Sequence, residues 1–78
     1  MATKAYILIE ATVGKSRDVW KALKEGKGIT ESYLITGPYD LVALIDAKDS
    51  DEVTTLVTSH IHTIPGIART VTCLTIKT

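Results

Sequence analysis

Hydrophobic residues recur along the chain at two spacings, and each spacing predicts one kind of element. Alternation predicts strands, because neighbouring strand residues point to opposite sides, and recurrence every three or four positions predicts helices. The predicted strands are residues 5–13, 30–36, 41–47 and 67–77. One helix follows the first strand and one follows the third. The order β-α-β-β-α-β predicts an α+β domain: a four-stranded antiparallel sheet with both helices on one face.

Capping and helix-breaking residues mark the ends of the two predicted helices. Ser16 is suited to N-cap the first helix, and Gly26 to end it. Asp49 and Glu52 have the spacing of a capping box at the start of the second helix. Residues 65–66, Pro-Gly, end that helix.

The third predicted strand is apolar on both sides, whereas two helices can cover only one face of a sheet. The uncovered face is predicted to carry four aliphatic side chains, Leu8, Val42, Leu44 and Leu74. Soluble monomers rarely expose such a patch, and burial of each side chain contributes about 1.5–3 kcal/mol. We therefore expect a homodimer in which two sheets stack face to face. The alternative is a monomer with scattered surface aliphatics.

Length, charge and cysteine content narrow the class of protein. The 78 residues make one domain, residues 1–78, and nine Lys and Arg balance nine Asp and Glu. That balance provides no basic surface for direct nucleic-acid binding. No apolar run approaches the ~18 residues of a membrane span, and no signal peptide is evident. The single cysteine, Cys73, excludes a disulfide framework, so we expect a cytoplasmic protein without membrane contact.

Motifs that would indicate catalysis or a cofactor are missing from the sequence. It has no P-loop, no glycine-rich nucleotide fingerprint, no paired carboxylates and no Ser/His/Asp order. His60 and His62 diverge too far on a helix to chelate one metal ion, and Cys73 is expected to be a packed or half-buried thiol and not a nucleophile. An RNA-recognition domain with this element order would need aromatic residues on the third strand, which is aliphatic. We expect no enzyme activity, no cofactor and no metal.

The turn at residues 37–40, Gly-Pro-Tyr-Asp, is the most informative local feature. Free N–H groups of a tight hairpin can take the α-carboxylate of an amino acid, and Asp40 or carbonyl groups can take its α-ammonium. Alternatively, Asp40 only caps the turn and Tyr39 only packs on a neighbour. Thr70 and Thr72 share one side of the fourth strand, where their hydroxyls can donate to a polar ligand. Such threonine pairs are also common on ordinary sheet faces.

Several segments together resemble the effector-binding domain of the Lrp/AsnC family of transcriptional regulators, also called the RAM domain. They are residues 5–9 (AYILI), 33–41 (YLITGPYDL), 64–67 (IPGI) and 69–72 (RTVT). The resemblance covers essentially the whole chain, with the elements in order. It implies a ferredoxin-like fold that forms a dimeric α/β barrel, with dimers assembling into tetramers or octamers. It also implies that a small effector, typically an amino acid, binds between dimers.

Carried over by motif, the resemblance implies that the pocket is lined by Gly37, Tyr39, Asp40, Thr70 and Thr72, with Leu34 as an apolar wall. Full-length members carry a helix-turn-helix before this domain, and here the domain begins at residue 5. We therefore expect a stand-alone module that binds no DNA directly and acts by co-assembling with full-length regulators. A second departure from the family pattern is at residues 26–29, which read Gly-Lys-Gly-Ile where the family often has Pro-Gly-Val.

Two other classes of protein share parts of this pattern. A small dimeric α/β-barrel enzyme, such as a cofactor-free monooxygenase or isomerase, would need polar groups inside its barrel. Tyr6, Glu10 and His60 are the candidates for that role, and the sequence pairs none of them. An ACT-like regulatory domain shares strand order and ligand class, but its sheets meet side by side instead of face to face.

Overall fold

The computed structural model describes residues 3–26 and 28–76. It confirms the predicted element order, with a short 3-10 turn at Ile61–Thr63 after the second helix. The elements are β1 (Thr3–Ala11), α1 (Ser16–Lys24), β2 (Ile29–Leu34), β3 (Leu41–Ala47), α2 (Ser50–Ser59) and β4 (Ile67–Leu74).

The four strands form one antiparallel sheet in the order β2-β3-β1-β4, so β1 and β3 are central and β2 and β4 are edges. Residues directly opposite each other on neighbouring strands point to the same side of a sheet. Ile7 is opposite Thr72, and both point to the side that the helices cover, here called the helix side. Leu8 is opposite Val71 on the other side, here called the open face.

The hydrophobic core lies between the helix side of the sheet and the two helices. Ile7, at its centre, has no solvent exposure, and Val19 and Leu23 of α1 are equally buried. Val53 and Val57 of α2 complete the same cluster. Within residues 3–26 and 28–76 no polar or charged residue is buried, so apolar packing holds the helices to the sheet.

The start of α2 follows the predicted capping pattern. Asp49 occupies the N-cap position, and its Oδ1 accepts a hydrogen bond from the Glu52 N–H at 2.9 Å. Glu52 Oε1 in turn accepts from the Lys48 N–H at 3.0 Å, one residue before the position that a capping box uses. Two N–H groups at the entry to the helix are therefore satisfied by carboxylates.

The start of α1 differs from the prediction. Ser16 is the first residue of the helix, and the N-cap position belongs to Lys15, which makes no side-chain cap hydrogen bond. The preceding turn explains the shift: the Lys15 N–H donates to the Thr12 carbonyl at 3.0 Å, and the Lys15 carbonyl accepts the first helical bond from Val19 at 2.9 Å.

Three strands have different ends from those predicted. β1 stops at Ala11, directly after the register shift against β4 between Glu10 and Ala11, and residues 12 and 13 lie beyond the strand. β2 begins and ends earlier than predicted, at Ile29 and Leu34. β4 ends at Leu74, and the predicted end at Lys77 lies outside the described residues, as does Lys27.

One predicted face assignment is wrong. Leu74 is opposite Ala5, which places it on the helix side at the sheet edge and not on the open face. Val71 and Cys73, opposite Leu8 and Tyr6, take the open-face positions of β4. Cys73 is exposed there, so the predicted packed or half-buried thiol is wrong for the single chain. The other predicted members of the open face are confirmed: Leu8, Val42 and Leu44.

Candidate functional site

The β2–β3 hairpin spans residues 35–40 and is closed by backbone hydrogen bonds at its base. The Ile35 N–H donates to the Asp40 carbonyl at 2.9 Å, and the Asp40 N–H donates to the Ile9 carbonyl of β1 at 2.9 Å. Gly37 lies at the tip with φ +133°, a conformation that other residues rarely adopt, and the space beside its Cα is open. Within the described residues, the Gly37 and Tyr39 N–H groups have no backbone partner. The tip therefore offers free donors to a ligand.

The Asp40 carboxylate ties this hairpin to the end of β1. Its Oδ2 accepts a hydrogen bond from the Ala11 N–H at 2.8 Å. Ala11 directly follows the register shift in β1, where regular ladder bonding is interrupted. Asp40 thus satisfies a strand N–H instead of capping its own turn. Its Oδ1 makes no hydrogen bond to residues 3–26 or 28–76, so one oxygen remains for a cationic group.

Arg69 of β4 holds the side chain of Tyr39, a residue of the hairpin loop. The Arg69 Nη2 donates to the Tyr39 hydroxyl at 2.7 Å, and the guanidinium carbon lies 5.5 Å from the centre of the Tyr39 ring. Arg69 is opposite Glu10 on the open face, with 4.0 Å between Nε and Oε1. Neither residue was predicted to bind a ligand, because only the β1–β4 register brings them to the hairpin.

Thr70 and Thr72 share one side of β4, as predicted, and that side is the helix side, opposite Ile9 and Ile7. The Thr70 hydroxyl lies 3.0 Å from His62 Nε2, and the tautomer of the imidazole decides which atom donates. The sequence excludes a metal pair between His60 and His62 but does not predict that His62 lies beside Thr70. The short separation of eight residues between His62 and Thr70 is the one signal that could have suggested it.

The six predicted site residues therefore do not form one cluster within one chain. Gly37, Tyr39 and Asp40 belong to the hairpin, whereas Thr70 and Thr72 lie on the helix side of the edge strand. No hydrogen bond between described residues joins these two groups. Ile9 of β1 lies between them: its carbonyl accepts from the Asp40 N–H on one side, and it is opposite Thr70 on the other.

Leu34, the sixth residue, is opposite Leu41 on the helix side and packs against the core from the edge strand β2. Three surface clefts in the described part of the chain, of about 140 to 270 Å³, are lined by other residues. One of them, for example, lies between Trp20 and Lys24 of α1 and residues 29–32. The predicted pocket is therefore not among these clefts of a single chain.

The polar groups that a barrel enzyme would need are not brought together. Tyr6 and Glu10 lie on the open face, four positions apart on β1. His60 ends α2 on the other side of the sheet, where its imidazole packs against Gly26. Its Nε2 is buried and has no hydrogen-bond partner among residues 3–26 and 28–76.

The open face carries a titratable group with a shifted pKa. Tyr33 and Glu31 lie on the same side of β2, opposite Val42 and Leu44. The Tyr33 hydroxyl donates a hydrogen bond to the Glu31 carboxylate. This hydrogen bond, then the negative charge of Glu31 and a small loss of hydration, raise the pKa of Tyr33 above its ordinary value of 10.0.

The described ranges contain neither a metal-binding cluster nor a membrane-spanning helix. Residues 3–26 and 28–76 contain no group of three or more His, Cys, Asp or Glu side chains placed to hold a metal ion. In the same part of the chain, neither helix has the length and hydrophobicity needed to cross a bilayer.

Comparison with known proteins gives a consistent result. The family model described as the Lrp/AsnC ligand binding domain matches residues 4–78. The chain is 38% identical over 74 residues to the HTH-type transcriptional regulator FL11 of Pyrococcus abyssi (strain GE5 / Orsay). The matched segment is 95% of this chain and 48% of that regulator, so the chain spans about half the length of the curated relatives it matches.

Solved structures share the fold over nearly the whole chain. The crystal structure of TTHA0845 from Thermus thermophilus has a TM-score of 0.91 and 36% identity, and covers 97% of this chain and 95% of that one. The transcriptional regulator NMB0573 from Neisseria meningitidis, solved as an L-Met complex, has a TM-score of 0.84. It is 13% identical and covers 96% of this chain and 50% of that one, a likeness that shows the fold alone.

Proposed function

The chain belongs to the Lrp/AsnC ligand-binding domain family, and we propose that it is an effector-sensing module of transcription regulation that binds an amino acid and catalyses no reaction. Family membership favours this function over a barrel enzyme and over an ACT-like domain. The separation of Tyr6, Glu10 and His60 also argues against an enzyme of the kind considered above.

The observation that carries the proposal is the hairpin with unused polar groups. The N–H groups of Gly37 and Tyr39 provide donors for a carboxylate, and Asp40 Oδ1 provides an acceptor for an ammonium group. Both charges of a zwitterionic amino acid are matched within one short turn. The L-Met complex of the structurally similar NMB0573 is consistent with this class of ligand.

The two groups of site residues suggest that the pocket is completed between copies of the chain. Thr70 and Thr72 lie on the helix side of β4, and no hydrogen bond between described residues joins them to the hairpin, so we propose that they complete the pocket on a neighbouring copy. Leu34 would then contribute apolar surface beside the hairpin. This arrangement agrees with the effector position between dimers that the family resemblance implies.

The partner that we propose for the open face is a second copy of the chain. Its centre is aliphatic, with Leu8, Val42, Leu44 and Val71 adjacent across three strands. Its margin carries both signs of charge, with Lys4 opposite Asp46 and Glu10 opposite Arg69. A face with an apolar centre and mixed charges can pack against itself.

We further propose that dimers assemble into tetramers or octamers and that the module co-assembles with full-length Lrp/AsnC-type regulators. The chain corresponds to about half of such a regulator, and TTHA0845 is a solved chain of matching extent. A shared assembly surface would let effector binding by the module alter the regulator.

Isothermal titration calorimetry with the twenty amino acids tests the effector role. We expect at least one to bind at sub-millimolar to millimolar concentration, and Asp40→Asn to weaken that binding. Asn keeps a side-chain oxygen for the Ala11 N–H but removes the negative charge that faces the ammonium group. Asp51→Asn, an exposed position of α2, is the matched control. An intact oligomer that binds no amino acid would refute the proposal.

A further inference from the structure

Arg69 is placed to act at the hairpin, although it is 30 residues away in the sequence. The strand register puts it opposite Glu10 at the end of the open face nearest the hairpin. The hydrogen bond to the Tyr39 hydroxyl at 2.7 Å and the position of the guanidinium over the Tyr39 ring hold it there. The side chain is 62% exposed in the single chain and lies at the margin of the open face, not at its aliphatic centre, so its outer edge can face a ligand at the hairpin.

The guanidinium retains unused hydrogen-bonding capacity. It has several N–H donors, and within the described residues the Tyr39 hydroxyl accepts from one of them. Glu10 lies 4.0 Å from Nε, which is longer than a hydrogen bond, and its side chain is 49% exposed. Water therefore screens this ion pair, and Glu10 does not saturate the cation.

Within the described residues, the neighbouring carboxylate of Asp40 makes no ion pair with Arg69. Its Oδ2 accepts from the Ala11 N–H, which fixes Asp40 against β1. Arg69 is consequently the positively charged partner of the hairpin, and its planar donors match a carboxylate geometrically.

From this geometry we infer that Arg69 binds the carboxylate of the effector, an inference that rests on the proposed function and deepens it. The carboxylate, which also accepts from the Gly37 and Tyr39 N–H groups, pairs with the free edge of the guanidinium while the Tyr39 hydroxyl holds the opposite edge. Glu10 competes with the ligand for the same cation. The module is therefore selective for ligands with a free carboxylate over the corresponding amides.

Calorimetry of acid and amide pairs tests this assignment, using each amino acid that binds the wild type and its carboxamide, for instance L-methionine and L-methioninamide. In the wild type we expect the amide to bind roughly tenfold or more weakly than the acid. Arg69→Gln should weaken acid binding by a similar factor and abolish the preference for the acid. Glu10→Gln should tighten acid binding, because it removes the competing carboxylate. Arg17→Gln, at an exposed position of α1, is the control.

Tyr39→Phe distinguishes ligand binding from a structural role of Arg69. If Arg69 only positioned the hairpin through Tyr39, Tyr39→Phe would weaken acid and amide equally, and Arg69→Gln would leave the acid preference unchanged. Either result would overturn the inference while leaving the proposed function intact. If the wild type binds no amino acid, the proposed function fails and the inference fails with it.

Discussion

The helix side and the open face of the sheet are built by alternate residues of the same strands, yet their environments differ sharply. Ile7 has no solvent exposure, whereas Tyr6, next to it, is 43% exposed. The helix side carries aliphatic residues packed against α1 and α2, and no polar residue among those described is buried there. The open face combines aliphatic residues with Tyr33, Glu31, Glu10 and Arg69.

This difference indicates that the two faces have separate tasks. The helix side supplies the stability of one chain, because its apolar area is already removed from water. The open face keeps apolar area that only another molecule can cover, together with the charged residues that reach the hairpin. The effect of a substitution on the free energy of unfolding should therefore depend on protein concentration for the open face but not for the helix side.

The largest expected effect is on the helix side. Ile7→Ala should lower the free energy of unfolding by about 2–5 kcal/mol, because it leaves a cavity in a fully buried position. For so small a domain that loss can prevent folding, so Ile7→Val, with a cost of about 0.5–1.5 kcal/mol, is the quantitative variant. Urea unfolding measures both.

Leu8→Ala, one residue along the same strand, is the matched substitution on the open face. Its effect on urea unfolding should diminish as the protein is diluted and the proposed dimers dissociate, whereas the effect of Ile7→Val should not change. Equal dependence on concentration for both variants would contradict the separation of tasks.

A second prediction concerns the corrected edge of the open face. Val71→Asp should raise the dimer dissociation constant roughly tenfold or more, because it places a charge opposite Leu8 in the proposed interface. Leu74→Asp, on the helix side of the same strand, should change it much less. Analytical ultracentrifugation measures both constants. A monomeric wild type at micromolar concentration, or equal effects of the two substitutions, would argue against this interface.

The smallest expected effect is the titration of the open face at high pH. The pKa of Tyr33 is raised in the folded state by its hydrogen bond to Glu31 and by the charge of that residue. A raised folded-state pKa means that the associated stabilisation is present below about pH 10 and is lost as the pH rises through the folded-state value. Because Tyr33 is half exposed, the change in stability should be small.

Absorbance titration of tyrosinate checks this prediction. Glu31→Gln should lower the pKa of Tyr33 towards its ordinary value, and Tyr33→Phe identifies its contribution to the signal. An unchanged titration in Glu31→Gln would show that the pair does not persist in solution.

Much of this fold follows from local pattern. The alternation in residues 41–47 correctly predicted that Leu41 and Ala43 are buried and that Val42 and Leu44 face the other side. The side of Leu74 was predicted wrongly because β4 has apolar and polar residues on both of its sides. Alternation then identifies which residues share a side but not which side faces the core.

The candidate site was predictable only in part, for the same physical reason. The turn at residues 37–40 could be identified from Gly37 and Pro38, whose backbone preferences are local. The contact between Arg69 and Tyr39 spans 30 residues, and that between Asp40 and Ala11 spans 29. Neither leaves a periodic signal in the sequence.

The sequence by itself determined the element order, the hairpin and the presence of apolar residues on both sides of the central strands, because these depend on spacing and on single-residue conformational preference. Only the tertiary structure decided that Thr70 and Thr72 face the helix side while Arg69 reaches Tyr39. Strand register made that decision, because a shift of one residue exchanges every side chain between the two faces of a sheet.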